Sequence, residues 1–162
     1  MTIACVPKRE SANDVLITKD GSNLKTIQLS AVVGTSSLRR AVQVSRIRPD
    51  VVVKPVRGNI ETRINKVIDG KFDAIILAEA GISRLGLDVK HSVLYTKDFP
   101  PSPGQGTLAI VCRADDAKTI SMLKKIEDKK SRIEIEAERA LSDYVESGCR
   151  YPVGALAIAN SG

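Results

Sequence analysis

Tryptophan is absent from the 162 residues, and the chain holds only two phenylalanines and three tyrosines. So thin a supply of rings argues against a reader of single-stranded nucleic acid, which stacks bases on aromatic platforms. The lone His91 and the cysteines Cys5, Cys112 and Cys149 show no paired spacing. They build neither a zinc ligand set nor a disulfide framework, so a reducing, cytoplasmic location is expected. No apolar run approaches a membrane span, and Met1–Pro7 followed by Lys8-Arg9-Glu10 has the wrong order and length for a secretory signal. What is plentiful is positive charge: 25 Lys and Arg against 19 Asp and Glu, a formal net +6, on a composition 43% hydrophobic and 27% charged. An anionic partner follows, and charge alone leaves nucleic acid, an anionic membrane surface and a polycarboxylate ligand open.

The length suits one ordinary domain or two small ones. Thr2–Val6 and Asp14–Thr18 read as short strands, with Asp20-Gly21-Ser22-Asn23 as a turn. Ala31–Val33 is a buried-strand run ending at Gly34, after which Ser36 or Ser37 caps a helix with Leu38, Ala41 and Val42 on its inner face. Pro49-Asp50 stops that helix and Val51–Val53 is the next strand. Asn59 caps a second helix with Ile60, Ile64, Val67 and Ile68 at helical spacing, and Gly70 ends it. Phe72–Leu77 is a further strand, followed by a short helix near Ala80–Leu85. Strand, helix, strand, helix, strand predicts a parallel sheet with right-handed crossovers, and such sheets take ligands at the carboxyl ends of their strands. The Pro/Gly-rich stretch Phe99–Gly106 is a candidate hinge. Beyond it come a strand over Thr107–Arg113, a helix from about Asp116 to Glu127, and a helix opened by a Ser131/Glu134 capping box and running to about Glu146, with Gly148 as its stop. Tyr151–Ala159 reads as a final strand, and Asn160-Ser161-Gly162 as the opening of a hairpin turn.

Three clusters carry chemistry. In Gly34-Thr35-Ser36-Ser37-Leu38-Arg39-Arg40 a glycine turn leads into a helix with two arginines in its first turn. Helix N-termini attract anions, and Arg adds a bidentate grip; a capped helix with two solvated arginines is the plainer alternative. Arg57-Gly58-Asn59 lies at the end of the next strand and Arg63 one turn into the following helix, off its apolar stripe. Two successive strand ends therefore aim arginines at one crevice, which makes an anion site the better reading. In Glu146-Ser147-Gly148-Cys149-Arg150, Cys149 follows a helix end and a glycine and precedes a cation, a setting that lowers a thiol pKa. From its neighbours alone Cys149 is either an activated thiol or an inert loop cysteine. Cys5 and Cys112 sit in apolar runs and read as core residues.

Together these segments resemble the porphobilinogen deaminase (hydroxymethylbilane synthase) family. The likeness rests on GTSSLRR (34–40), VRGNIETR (56–63), FDAIILAEAGISRLGL (72–87), PGQGTLAI (103–110) and ERALSDYVESGC (138–149), in the family's order and close to its spacing. It implies an α/β fold: a periplasmic-binding-protein-like domain with a parallel-type sheet and flanking helices, a partial first domain, and the start of a small α+β third domain. On that pattern residues 1–12 are a remnant of the first domain, 13–100 the second, 101–127 a return segment of the first, and 128–162 the start of the third, cofactor-anchoring domain. The resemblance implies a dipyrromethane cofactor joined to Cys149 through a thioether. It implies that Thr35, Ser36, Arg39 and Arg40 bind that cofactor, and that Arg57 and Arg63, with Arg84 in a less certain role, bind the acetate and propionate groups of the growing chain. The expected function is head-to-tail condensation of four porphobilinogens, with loss of ammonia, to hydroxymethylbilane. Porphobilinogen and its oligomers are then the partners, with no metal, nucleic acid or membrane. Each pyrrole brings two carboxylates, and Arg, always charged and bidentate, suits such a load.

No acidic residue here matches the family's catalytic aspartate, and Glu61 and Glu79 are better explained as solvated helix residues than as its replacement. Two accounts follow from that. A separate chain supplies the missing half of the first domain, or the chain is a non-catalytic relative that binds an anionic tetrapyrrole or another polycarboxylate.

Overall fold

The computed structural model describes residues 1–145 and 151–160. Two short strands, β1 (Thr2–Cys5) and β7 (Ile110–Cys112), pair antiparallel with a bulge between Ile3 and Cys5. Between them lies a five-stranded sheet of β2 (Asp14–Thr18), β3 (Val32–Gly34), β4 (Val52–Lys54), β5 (Ala74–Ala78) and β6 (His91–Leu94), in the order β4-β3-β5-β2-β6. Helix α1 (Leu38–Ile47) links β3 to β4, α2 (Ile60–Ile68) links β4 to β5, and α3 (Glu79–Leu85) follows β5 directly. After β7 come α4 (Ala117–Leu123), a 3-10 turn over Lys124–Ile126, and α5 (Lys129–Tyr144).

The βαβαβ unit predicted from the alternation is there: β3 pairs parallel with both β4 and β5. Strand β2 lies antiparallel to β5 across five residues, and β6 lies antiparallel to β2. The sheet is covered on both faces, which is why its strands read as continuous apolar runs rather than alternating ones. Leu16, Val33, Ala74 and Ile76 pack with Val44 of α1 and Phe99 on one face. Val15, Ile17, Ile75 and Leu77 pack with Ile64 and Val67 of α2 and Ile82 of α3 on the other. Period-two alternation along β2 and β5 thus feeds two separate cores, each fully buried aliphatic side chain contributing roughly 1.5–3 kcal/mol of transfer free energy.

Local chemistry sets the helix ends. Asn59 Oδ1 accepts the Thr62 N–H at 2.8 Å, the cap expected for α2. The cap of α1 is Ser37 rather than Ser36, its hydroxyl facing the Arg40 N–H. Helix α5 begins one turn earlier than the Ser131/Glu134 box places it: Asp128 is its cap, accepting from the Ser131 N–H at 2.7 Å. Ser131 and Glu134 are spent elsewhere, Ser131 Oγ on the Arg9 N–H at 2.9 Å and Glu134 on the Ala159 N–H at 3.1 Å.

Residues 151–159 do not form the expected strand. Their backbone is satisfied by side chains and by the Pro/Gly segment: Ala157 N–H by Glu138 at 2.9 Å, and Ala155 N–H by the Pro101 carbonyl at 2.9 Å. Strand β7 is also shorter than Thr107–Arg113, because Thr107 and Gln105 are already held in turns by Gly104 and Ser102 carbonyls.

Candidate carboxylate-binding site at the ends of β3 and β4

Parallel pairing of β3 and β4 brings their carboxyl ends together, and the loops beyond them are stitched to each other. Thr35 N–H donates to the Lys54 carbonyl at 2.9 Å. Ser36 Oγ donates to the Val56 carbonyl at 2.7 Å, and the Val56 N–H returns to Ser36 Oγ at 3.1 Å. Thr35 is buried and its hydroxyl accepts from the Ser37 N–H at 3.1 Å. Thr35 and Ser36 therefore tie the start of α1 to the loop that follows β4.

The two arginines of that first turn differ from the sequence expectation. Leu38 and Val42 are 52% and 49% exposed, whereas Arg39 is 5% exposed and Val44 fully buried. Helix α1 is rolled so that Arg39, not Leu38, faces the sheet. The cause is Asp14, the first residue of β2, completely buried yet ionisable. A buried carboxylate needs cationic donors far more than a leucine needs cover. Asp14 Oδ2 accepts from Arg39 Nη2 at 2.8 Å, and Oδ1 accepts from Arg40 Nη2 at 2.7 Å and Nε at 3.0 Å. Arg39 Nη1 also donates to the Pro100 carbonyl at 2.6 Å, with its guanidinium 6.0 Å from the Phe99 ring centroid. Burial pushes the Arg39 pKa below its ordinary value, and the adjacent carboxylate opposes that shift.

Asp14 and Gln105 escaped the sequence reading. Gln105 Nε2 donates to Asp14 Oδ1 at 2.9 Å and to the Ala12 carbonyl at 2.7 Å. A signal for Asp14 exists: a carboxylate opening the run Val15-Leu16-Ile17 has to be paired if that run is buried, and Lys8-Arg9 and Arg39-Arg40 are adjacent cation pairs able to meet it.

Arg57 and Arg63 lie at the neighbouring strand end. Arg57 is exposed and Arg63 half-buried, and neither pairs with a carboxylate among the described residues. Arg63 Nε donates to the Gly58 carbonyl at 2.7 Å, which leaves its two terminal nitrogens for a ligand. Gly58 has φ +119°, a conformation that suits glycine and turns its carbonyl toward Arg63. At these two strand ends guanidinia outnumber carboxylates, which fits a group bearing several carboxylates. Arg84 differs from them: it lies in the last turn of α3, is exposed, and donates through Nη2 to the Gly106 carbonyl at 2.8 Å.

Cys149 lies outside the described residues. Cys5 is fully buried, and burial followed by the neighbouring Glu127 pushes its thiol pKa up, so it is an unreactive core residue. Cys112 is only half-buried, its thiol turned toward the Arg113 carbonyl. Among the described residues no cluster of His, Cys, Asp and Glu could hold a metal ion, and no helix is long and apolar enough to cross a membrane.

Comparison with known proteins bears on this arrangement. The family model described as porphobilinogen deaminase, dipyromethane cofactor binding domain, matches residues 1–121. A probable porphobilinogen deaminase of Nitrosopumilus maritimus (strain SCM1) is 69% identical over 160 residues, which is 99% of this chain and 51% of that protein. The porphobilinogen deaminase of Brevibacillus brevis is 44% identical over 158 residues, 97% of this chain and 51% of its own length. The chain spans about half the length of the curated relatives it matches. Among solved structures, an arginine-specific periplasmic binding protein of Salmonella typhimurium aligns over 85% of this chain and 62% of its own at 12% identity and TM-score 0.46. The α/β fold class rests on the observed strand order and flanking helices. The family match covers the strand ends and the arginine crevice together: the chain belongs to the porphobilinogen deaminase family.

Proposed function

We propose that this chain is the part of a hydroxymethylbilane synthase that anchors the dipyrromethane and grips the carboxylates of the growing pyrrole chain. The observation that carries the reading is the crevice at the ends of β3 and β4, where guanidinia outnumber carboxylates and Arg57 and Arg63 meet none of the latter. Arg40, Arg57 and Arg63 take acetate and propionate groups, and Thr35 and Ser36 set the wall they project from. Arg39 supports Arg40 through their shared partner Asp14, and Arg84 acts from the Gly106 turn. Cys149 carries the cofactor as a thioether. The dipyrromethane supplies the pyrrole terminus to which porphobilinogen is joined with loss of ammonia. The residues of this chain bind and orient carboxylates and screen their mutual repulsion; none is assigned to move a proton on the pyrrole.

The same reading divides the chain at residues 12, 100 and 127 into first-domain remnant, second domain, first-domain return and third-domain start, in a cytoplasmic protein. Condensation of porphobilinogen then needs the family's remaining half, in the same polypeptide or a separate one. Intact-mass measurement tests the reading. A dipyrrole mass on the purified protein that disappears in Cys149→Ser supports it. An unmodified Cys149 after incubation with porphobilinogen and the complementary half of a relative overturns it, leaving a binder of anionic tetrapyrroles.

A further inference from the structure

Asp14 is a buried carboxylate to which neither the expected chemistry nor the family likeness gives a task. Its register opposite Ala78 puts it at the carboxyl end of β5, beside the crevice. Three side chains saturate it. Arg39 takes Oδ2, while Arg40 and Gln105 share Oδ1. The orientation of the Gln105 amide is fixed, because Nε2 meets only acceptors while Oε1 accepts from Arg39 Nη2 at 3.2 Å.

The way Arg40 meets Asp14 matters. A guanidinium has two edges able to hold a carboxylate in a fork, Nε with one terminal nitrogen, or the two terminal nitrogens together. Arg40 gives its Nε–Nη2 edge to Asp14 Oδ1. Its Nη1 reaches only the Ile76 carbonyl, at a long 3.4 Å. The Nη1–Nη2 edge therefore carries no carboxylate among the described residues and is held at one angle, on a side chain 14% exposed. Arg39 has no such edge, since its terminal nitrogens are spent on Asp14, Pro100 and Gln105 and its Nε is buried without a partner.

We propose that Asp14 is a positioning residue for ligand carboxylates: it holds one edge of Arg40 so that the other faces the ligand, and Arg39 and Gln105 lock Asp14 in that pose. The inference rests on the carboxylate-binding reading of the crevice given above. It runs against simple charge counting, under which removing a negative charge beside the arginines should tighten binding of an anion.

Calorimetric titration of the chain with porphobilinogen decides between these, alongside proton exchange of the Arg40 Nε–H followed by 15N NMR. Asp14→Asn is expected to weaken porphobilinogen binding at least fivefold and to speed that exchange at least tenfold. Gln105→Ala keeps every charge and serves where Asp14→Asn does not fold; it is expected to weaken binding about threefold and to speed the same exchange. Binding that is tighter or unchanged in either variant overturns the proposal, as does unchanged exchange. If the parent protein binds no porphobilinogen, the carboxylate-binding reading is what fails, and the exchange rates still decide whether Asp14 holds Arg40.

Discussion

Glu138 offers the sharpest test of how the pieces around the sheet are held. It is 2% exposed on α5 and serves three partners from distant parts of the chain. Arg9 forks onto it, Nη1 to Oε1 at 2.6 Å and Nη2 to Oε2 at 3.1 Å. The Gly104 N–H donates to Oε2 at 2.6 Å and the Ala157 N–H to Oε1 at 2.9 Å. Glu138→Ala strands a guanidinium whose side chain is only 8% exposed, together with two backbone donors. Removing one partner of a buried ion pair costs about 3–5 kcal/mol, far more than the intact pair contributes net. With a urea slope of about 2 kcal/mol per M, the unfolding midpoint followed by circular dichroism should fall by about 1.5–2.5 M. Adding Arg9→Met removes the stranded cation and should recover at least about 1 kcal/mol. It should not restore the parent, because the Gly104 and Ala157 N–H groups stay unpaired at about 1–3 kcal/mol each. A midpoint shift below about 0.5 M, or a double variant no better than Glu138→Ala alone, would refute this account of a buried hub.

Two further perturbations have a definite sign. Arg48 grips Asp50 through Nε and Nη2, both at 2.6 Å, and holds its carboxyl at about 2, below the ordinary 3.8. A folded pKa below the unfolded one adds stability that is complete above the unfolded value and is lost as pH falls through the folded value. The melting-temperature gap between the parent and Asp50→Asn should therefore hold steady down to about pH 5 and close as pH approaches 2; a gap that persists at pH 2 contradicts the assignment. Gly106 has φ +83°, and a Cβ there would lie 2.5 Å from the Ser11 carbonyl oxygen and 2.6 Å from that of Glu10. Gly106→Ala should cost about 2 kcal/mol or more, whereas Gly70→Ala, with φ +72° and open space around it, should cost only the conformational part of about 1 kcal/mol. Equal losses in urea titrations would show that close backbone approach at Gly106 does not matter.

The α/β class and the placement of Arg57 and Arg63 just beyond β4 were legible because they follow from short-range chemistry. Asn59 caps α2 by its own side chain, and the parallel β3–β4–β5 unit follows from two helix-length connections. Pairing direction for β2 was not legible, since its apolar run is compatible with either sense and only the fold sets it against β5. Strand β6, His91-Ser92-Val93-Leu94, carries too little apolar pattern to stand out and forms because β2 offers an unpaired edge. The roll of α1 was missed for a different reason. Amphipathic counting ranks Arg39 as a surface residue, and only a partner from a strand 25 positions earlier makes it a buried one. The same kind of long-range demand moved Glu134 from a capping role to a backbone acceptor for Ala159.

Phe99–Gly106 was expected to be a hinge on account of its prolines and glycines, and its bonding changes what such a hinge would require. The Pro100 carbonyl accepts from Arg39 and from Gln43, and the Pro101 carbonyl from Ala155. Gly104 is held by Glu138, the Gln105 carbonyl by Arg9 Nε at 3.0 Å, and the Gly106 carbonyl by Arg84 and by the Glu10 N–H. Every carbonyl and amide named here is fixed by a different element: α1, α3, α5, the 6–13 link or the 151–160 segment. Glycine and proline here serve close approach and extended geometry rather than looseness. Any opening at this segment has to break charge-assisted bonds to Arg39, Arg84 or Glu138, each stronger than a neutral hydrogen bond. Motion there is consequently tied to the state of Asp14 and its arginines, so the crevice and the junction form one bonded unit.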